Sequence, residues 1–264
     1  MLAAKDIGIM SQNAVCCVTP MPIEEGLAIE QRLLEQVASG QSRFGYSIWR
    51  SRQALVVPRS ATHRQGFDLA SRYCESKGWP VVVRSTGGEM TPQTSGFINL
   101  SMVVSRKGEK IGIRESYSLI CQPLLHWLEA MGIHAYCSGV EGAFCNGEFN
   151  LVVNGKKIAG TAQRRKRIKI PMSPGQEEDT AILLHAVILC DEGLERIWKV
   201  SNEFYKACQL PPFIIGDRHI CMSEITQQRG EAFIRRAMRD LNRVVQQHIS
   251  MFSRVDQSSV LPSF

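Results

Sequence analysis

The stretch AFCNGEFNLVVNGKKIAGTAQ, Ala143 to Gln163, decides how the rest of the chain is read. Phe149 to Val153 is apolar and partly β-branched, and Lys156 to Ala162 can return beside it as a second strand. Between them sits Asn154-Gly155, the dipeptide preferred by a type I′ hairpin turn, because that turn holds both central residues at positive φ. Lys157 is therefore expected on a rigid strand next to a tight turn. Cys145 lies just outside the hairpin, on chain that is free to bend.

Working outward, PIEEGLAIEQRLLEQVASG carries Leu27, Ile29, Leu33, Leu34 and Val37 at helical spacing, with acids early and Gly40 after the last turn. FGYSIWR and ALVVPR read as short strands, and QGFDLASRYCESKG as a helix stopped at Gly78. WPVVVRS reads as a buried strand running into Thr86-Gly87-Gly88, GFINLSMVV as another strand, and YSLICQPLLHWLEAMG as a buried helix despite Pro123. PMSPGQEEDT is a loop by composition, and AILLHAVILCD is a continuous apolar run suited to a central strand. GLERIWKVSNEFYKACQL and the segment from Cys221 to Phe252 read as helices. Strands in the middle flanked by helices define an α/β (α+β) architecture with a large mixed sheet. The expected organisation is an extension over 1–22, a catalytic domain over 23–198, helices over 199–255 packed on that domain, and a tail over 256–264.

A chain of 264 residues, 44% hydrophobic and 21% charged, is long enough to bury a substantial core without staples. No apolar run approaches the roughly 18 to 20 residues of a membrane span, and the first residues lack a secretory pattern, so the expected location is cytoplasmic. The 9 cysteines are odd in number and irregularly spaced, without a CxxC pair or a zinc-type His/Cys cluster. Most are expected to be small buried hydrophobes, Cys137 on a strand and Cys190 in the core. The net charge of +6 is concentrated in QRRKRIKI, where five basic residues fall between Arg164 and Lys169. Such a run is either a solvated loop edge or an electrostatic match for an acidic protein partner. No aromatics interleave with it, which argues against nucleic acid.

Three segments in order resemble the lipoate ligase and octanoyltransferase family, relatives of biotin protein ligase. VVVRSTGGEMTPQTSGFINLSMV is similar to the family's strand, Arg-x-Ser/Thr-Gly-Gly loop and following strand, with Asn99 and Ser101 matching its closing Asn-x-Ser. FNLVVNGKKIAGTAQRR resembles its hairpin with the reactive-site lysine, matched by Lys157. LHAVILCD resembles its His-Gly-Ser/Thr-Leu-Leu strand, with His185 in place and Ala186 where the family has glycine. The family's His-Asp after the glycine loop is replaced around Pro92 and Gln93. The resemblance implies a core related to class II aminoacyl-tRNA synthetases, an acyl tunnel, and acyl transfer to a lysine of a lipoyl-domain or glycine-cleavage H-type protein.

Within that resemblance, a transferase takes an octanoyl or lipoyl group from an acyl carrier protein or lipoylated protein through a cysteine thioester and needs no cofactor. A ligase instead activates lipoate with ATP and Mg²⁺. A third reading is a non-catalytic binder of acylated carriers. Transferases of one branch carry the cysteine shortly before the hairpin lysine, where this chain has Cys145. A thioester needs a thiolate near neutral pH, which a cation promotes, and Lys157 is expected to supply it. Arg84, Thr86, Gly87, Gly88, Asn99, Gly160, Thr161 and His185 are the implied substrate-binding residues, and Arg164, Arg165, Lys166 and Arg167 the partner-binding ones. On an unbroken ladder, seven rungs of about 3.3 Å would part Cys145 from Lys157 by over 20 Å. The strand must therefore end near Phe149, and Asn146-Gly147 suits the turn back.

Overall fold

The computed structural model describes residues 7–11, 13–85, 87–105, 111–168, 180–210 and 214–255. Two long apolar runs form the middle of its main sheet: β7 (Phe97–Ser105) and β11 (Thr180–Leu189) pair antiparallel without interruption from Ala181↔Ser105 to Leu189↔Phe97. Alternation along these strands divides the core into two layers. Ile98, Leu100, Met102, Leu184, Ala186 and Ile188 face one side, against α3 (Ile113–Ala130) and α6 (Glu231–Val255). On α6, Ile234, Met238, Leu241 and Val245 recur at spacings of three and four, which puts them on one buried stripe. Val103 and Leu183 face the opposite layer with Leu33, Leu34 and Val37 of α1 (Ile23–Ala38).

The main sheet has eight strands in the order β1-β2-β3-β7-β11-β10-β9-β8. Within the expected N-terminal extension over 1–22, β1 (Ile7–Ser11) and β2 (Ala14–Met21) are strands of this sheet. β2 runs parallel to β3 (Phe44–Ser51), joined to it by α1 as a crossover, and β1 folds back antiparallel on β2. The remaining members are β8 (Tyr136–Cys137), β9 (Leu151–Val153) and β10 (Lys156–Arg167).

A second sheet, β5-β4-β6, is built from β4 (Ala54–Pro58), β5 (Val81–Arg84) and β6 (Thr91–Gln93). The run WPVVVRS thus forms an edge strand parallel to β4, with Val83 43% exposed, and not the buried strand its composition suggests. α2 (Phe67–Ser76) and α4 (Leu194–Ala207) cover this region, while α5 (Met222–Thr226) is a single short turn of helix. Among the described residues no helix is long and apolar enough to cross a membrane. Thr86, Lys169 and the tail over 256–264 lie outside the described residues.

Candidate active site

The turn between β9 and β10 holds Asn154 at φ 51° and Gly155 at φ 73°, as the type I′ geometry demands. Val153 pairs with Lys156 and Val152 with Lys157, and the register then shifts before Ala159. Regular pairing starts at Leu151 and not at Phe149, whose ring instead stacks on Tyr117 at 4.2 Å. Upstream, the chain folds back over β10 and is pinned there. Asn150 Nδ2 donates to the Cys145 carbonyl (3.1 Å), Asn150 Oδ1 accepts the Thr161 amide (3.2 Å), and Thr161 Oγ1 donates to the Phe149 carbonyl (2.7 Å). The left-handed residue of this bend is Cys145 itself, at φ 44°. A non-glycine side chain there costs about 1–2 kcal/mol, and the surrounding hydrogen bonds hold it in place.

The bend brings the cysteine to the lysine. Lys157 is 0% exposed. Its Nζ donates to the carbonyls of Phe144 and Cys145, the latter at 3.1 Å, and lies 3.9 Å from the centroid of the Phe144 ring. Burial pushes its pKa down to about 7, opposed by Cys145 and Glu89. An ammonium this close to neutrality can both hold charge and exchange a proton.

A second buried cation lies near the same residue. Arg84, at the end of β5, turns inward and lines the cleft beside Cys145. Its Nη1 donates to Thr91 Oγ1 (3.2 Å) and its Nη2 to the carbonyls of Gly87 (3.0 Å) and Glu89 (2.9 Å). Burial lowers its pKa, and the cysteine opposes that shift. Gly88 threads between them at φ 101°, where an added Cβ would stand 2.9 Å from Arg84 Nη2 and 3.3 Å from Cys145 Sγ. Gly88→Ala is therefore expected to part the two groups and slow any Cys145-dependent step about tenfold or more. At φ 101° an alanine is also strained, so melting temperature should fall modestly, and activity is compared at a temperature where the variant is folded. Wild-type turnover in this variant would mean that Arg84 need not touch the cysteine.

Cys145, Arg84, Gly160, Thr161 and His185 line one shallow cleft together with Phe144 and Val187. Gly160 leaves room for the lysine, since a Cβ there would meet Lys157 Nζ at 2.9 Å. His185 Nδ1 lies 3.8 Å from Glu30 Oε2, and Glu30 Oε1 accepts from Ser101 Oγ at 2.6 Å. Asn99 is not among the lining residues: its side-chain amide exchanges two hydrogen bonds with Gln93, at 3.0 and 3.1 Å. Gln93, where the sequence departs from the family pattern, is thus the partner that occupies it. Glu89, whose Oε2 accepts the Cys145 amide (3.2 Å), and Glu30 carry no signal in their own sequence neighbourhood. Among the described residues, no three or more His, Cys, Asp or Glu side chains gather as a metal site.

The basic run corrects another expectation, since Arg164 to Arg167 are the end of β10 and not a loop. Strand alternation splits them between faces. Arg164 and Lys166 pair with Leu183 and Ala181, on the same side as Ala162 and its partner His185 in the cleft. Arg164 donates to Ser85 Oγ (2.6 Å) and Gln31 (3.2 Å). Arg165 points the other way, to the Ile111 carbonyl (2.8 Å) and Ser116 Oγ (3.2 Å).

Cys145 thus sits at the edge of a partly apolar cleft with two buried cations nearby, on an α/β fold built around a large mixed sheet. Residues 22–209 match the model of the lipoyl protein ligase A/B catalytic domain, and the chain belongs to that family. It is 35% identical over 205 residues to the octanoyl-[GcvH]:protein N-octanoyltransferase of Kyrpidia tusciae, covering 76% of this chain and 66% of that protein. Its fold is similar to that of lipoate-protein ligase A bound with ATP, at a TM-score of 0.64 and 16% identity, covering 94% and 95% of the two chains. A lipoate protein ligase structure from T. acidophilum with bound lipoic acid gives a TM-score of 0.61 at 17% identity, covering 86% and 82%.

Proposed function

We propose that the protein transfers an octanoyl or lipoyl group between a glycine-cleavage H-type (GcvH) or acyl carrier protein and a lysine of a lipoyl domain, through a thioester on Cys145. The observation that supports this most is that Lys157, bonded to the Cys145 carbonyl, and Arg84, lining the same cleft, approach Cys145 from two different segments. In the first half-reaction the Cys145 thiolate attacks the donor's acyl carbonyl. The new C–S bond forms as the donor's C–N or C–S bond breaks, and the leaving amine or thiol takes a proton that Lys157 supplies. Arg84 offers its guanidinium to the oxyanion as it forms. In the second, a neutral acceptor amine attacks the thioester, its C–N bond replaces the C–S bond, and the proton it loses restores the Lys157 ammonium beside the thiolate.

Such a transferase draws its driving force from the donor bond and consumes no ATP. An ATP- and Mg²⁺-dependent ligase would leave Cys145 without a role, which favours the transferase. The test offers the purified protein octanoyl-GcvH or octanoyl-acyl carrier protein, and separately octanoate with ATP, each with a lipoyl domain, and weighs the products. A hydroxylamine-sensitive octanoyl adduct on Cys145 and product only from the carrier are expected. Product only from octanoate and ATP would refute the reading.

The cleft-face position of Lys166 supports a part in steering an acidic carrier. Lys166 is half-buried, and such partly exposed charges act over a Debye length of about 8 Å at physiological salt. Lys166→Glu is expected to raise the apparent KM for the carrier severalfold and flatten its salt dependence, with kcat little changed. Arg165→Ala, which removes bonds to Ile111 and Ser116, should instead lower melting temperature. Unchanged carrier kinetics in Lys166→Glu at every salt concentration would rule out steering through this face.

A further inference from the structure

His219 lies beyond residue 209, where the family match ends, yet it packs directly on the candidate centre. It is 3% exposed. It follows a single 3₁₀ turn, Gly216–Arg218, and its backbone bridges to Lys157 in parallel, with the Ile220 amide donating to the Lys157 carbonyl at 3.0 Å. Its ring packs against both Trp198 (4.1 Å, 30°) and Phe144 (5.2 Å, 11°), which also touch each other at 5.8 Å.

The hydrogen bonds define its tautomer. Nδ1 lies 3.2 Å from the Gly216 carbonyl, which can only accept, so Nδ1 carries the hydrogen. Nε2 is then a bare lone pair, and it accepts the amide of Phe144 at 3.1 Å. Burial and the Lys157 charge push the imidazole pKa down to about 4, so it is neutral at physiological pH.

We propose that His219 is a positioning residue for the Cys145–Lys157 pair, its Nε2 fixing the Phe144 amide so that the next two carbonyls clamp the lysine. The amide of Phe144 enters the bend one residue before Cys145, and the carbonyls of Phe144 and Cys145 are the two acceptors of Lys157 Nζ. Holding that amide fixes the plane entering Phe144 and helps maintain Cys145 in its left-handed conformation. The Phe144 ring contacts both the imidazole, at 5.2 Å, and the lysine Nζ, at 3.9 Å. His219 touches no reacting atom in this arrangement. The inference rests on the thioester reading for its catalytic meaning, though the geometry it describes does not.

Two substitutions separate the acceptor from the ring. His219→Phe keeps an aromatic ring for the stack and removes the acceptor. His219→Gln removes the ring and keeps a carbonyl oxygen able to accept the Phe144 amide. Two readouts are needed: the rate of Cys145 alkylation by iodoacetamide, resolved by peptide mass spectrometry across pH, and octanoyl transfer from octanoyl-GcvH. His219→Phe is expected to lower kcat about 10- to 100-fold with carrier KM unchanged, and to slow Cys145 alkylation at neutral pH. His219→Gln should recover a large part of both. The reverse order, with phenylalanine at wild-type rates and glutamine impaired, would reduce His219 to a packing residue and overturn the proposal, as would wild-type rates in both. Should the wild-type protein form no Cys145 thioester, the transferase reading falls, and the alkylation order still decides the role of His219.

Discussion

Replacing Cys145 by alanine is expected to abolish the hydroxylamine-sensitive acyl adduct and to cut carrier-dependent transfer on the order of 10⁴-fold or more, the scale on which loss of a covalent nucleophile is felt. The side chain is small and half-buried, so the fold should survive with a loss of about 1 kcal/mol or less. Both buried cations remain in Cys145→Ala, so residual binding of the acyl carbonyl is retained while the bond-forming atom is gone. Intact-mass measurement after incubation with octanoyl-GcvH, with circular dichroism to verify folding, reads both outcomes. Full transfer by the alanine variant would exclude a thioester on this residue.

The second large effect belongs to Lys157. Lys157→Ala removes an ammonium that donates to the carbonyls of Phe144 and Cys145, and transfer should fall about 10²- to 10³-fold. Arginine should not rescue it, because a planar fork does not fit a fully buried pocket shaped around a point charge. Stability offers an independent check. The folded pKa lies near 7, below the ordinary 10.5, so the unfolded chain binds the extra proton across that window. This group therefore makes stability rise with pH from about 7 towards 10.5, and its burial penalty is fully present below about 7. Denaturant melts at pH 6 and pH 9 should show that slope in the wild type, on the order of a few kcal/mol, and lose it in Lys157→Met. Near-normal transfer in Lys157→Ala would show the lysine to be a packing residue.

Several elements were legible because their causes are local. Asn154-Gly155 names its own turn, since few other pairs accept two positive φ values in succession. The stripe on α1 and the unbroken apolar run of β11 need only the helical period and a strand's length to be recognised. The strands before residue 22 were not legible. AVCCVTPM has no clean alternation, and β2 finds its place by a parallel pairing with β3 that spans the whole of α1. The end of β10 was missed for the opposite reason. Four consecutive basic residues have low strand preference, but an uninterrupted ladder to β11 overrides it.

By itself, then, the sequence determined the hairpin, the helical faces and the central strands, while Cys145 and Lys157 were singled out through the resemblance to the lipoate ligase and octanoyltransferase family. Their separation on a regular ladder showed only that the chain had to bend between them. The tertiary structure decided how it bends, with Cys145 itself taking the left-handed conformation and Asn150 pinning it to β10. It also decided which cations lie near Cys145, bringing Arg84 inward from the edge of a second sheet. From beyond α4 it set His219 against Phe144. Each of these contacts joins segments distant in the chain, and each depends on burial that exists only once both sheets are packed. Local propensity and periodicity carry no record of such contacts, because the charge, the hydrogen-bond acceptor and the desolvation that define them come from different elements.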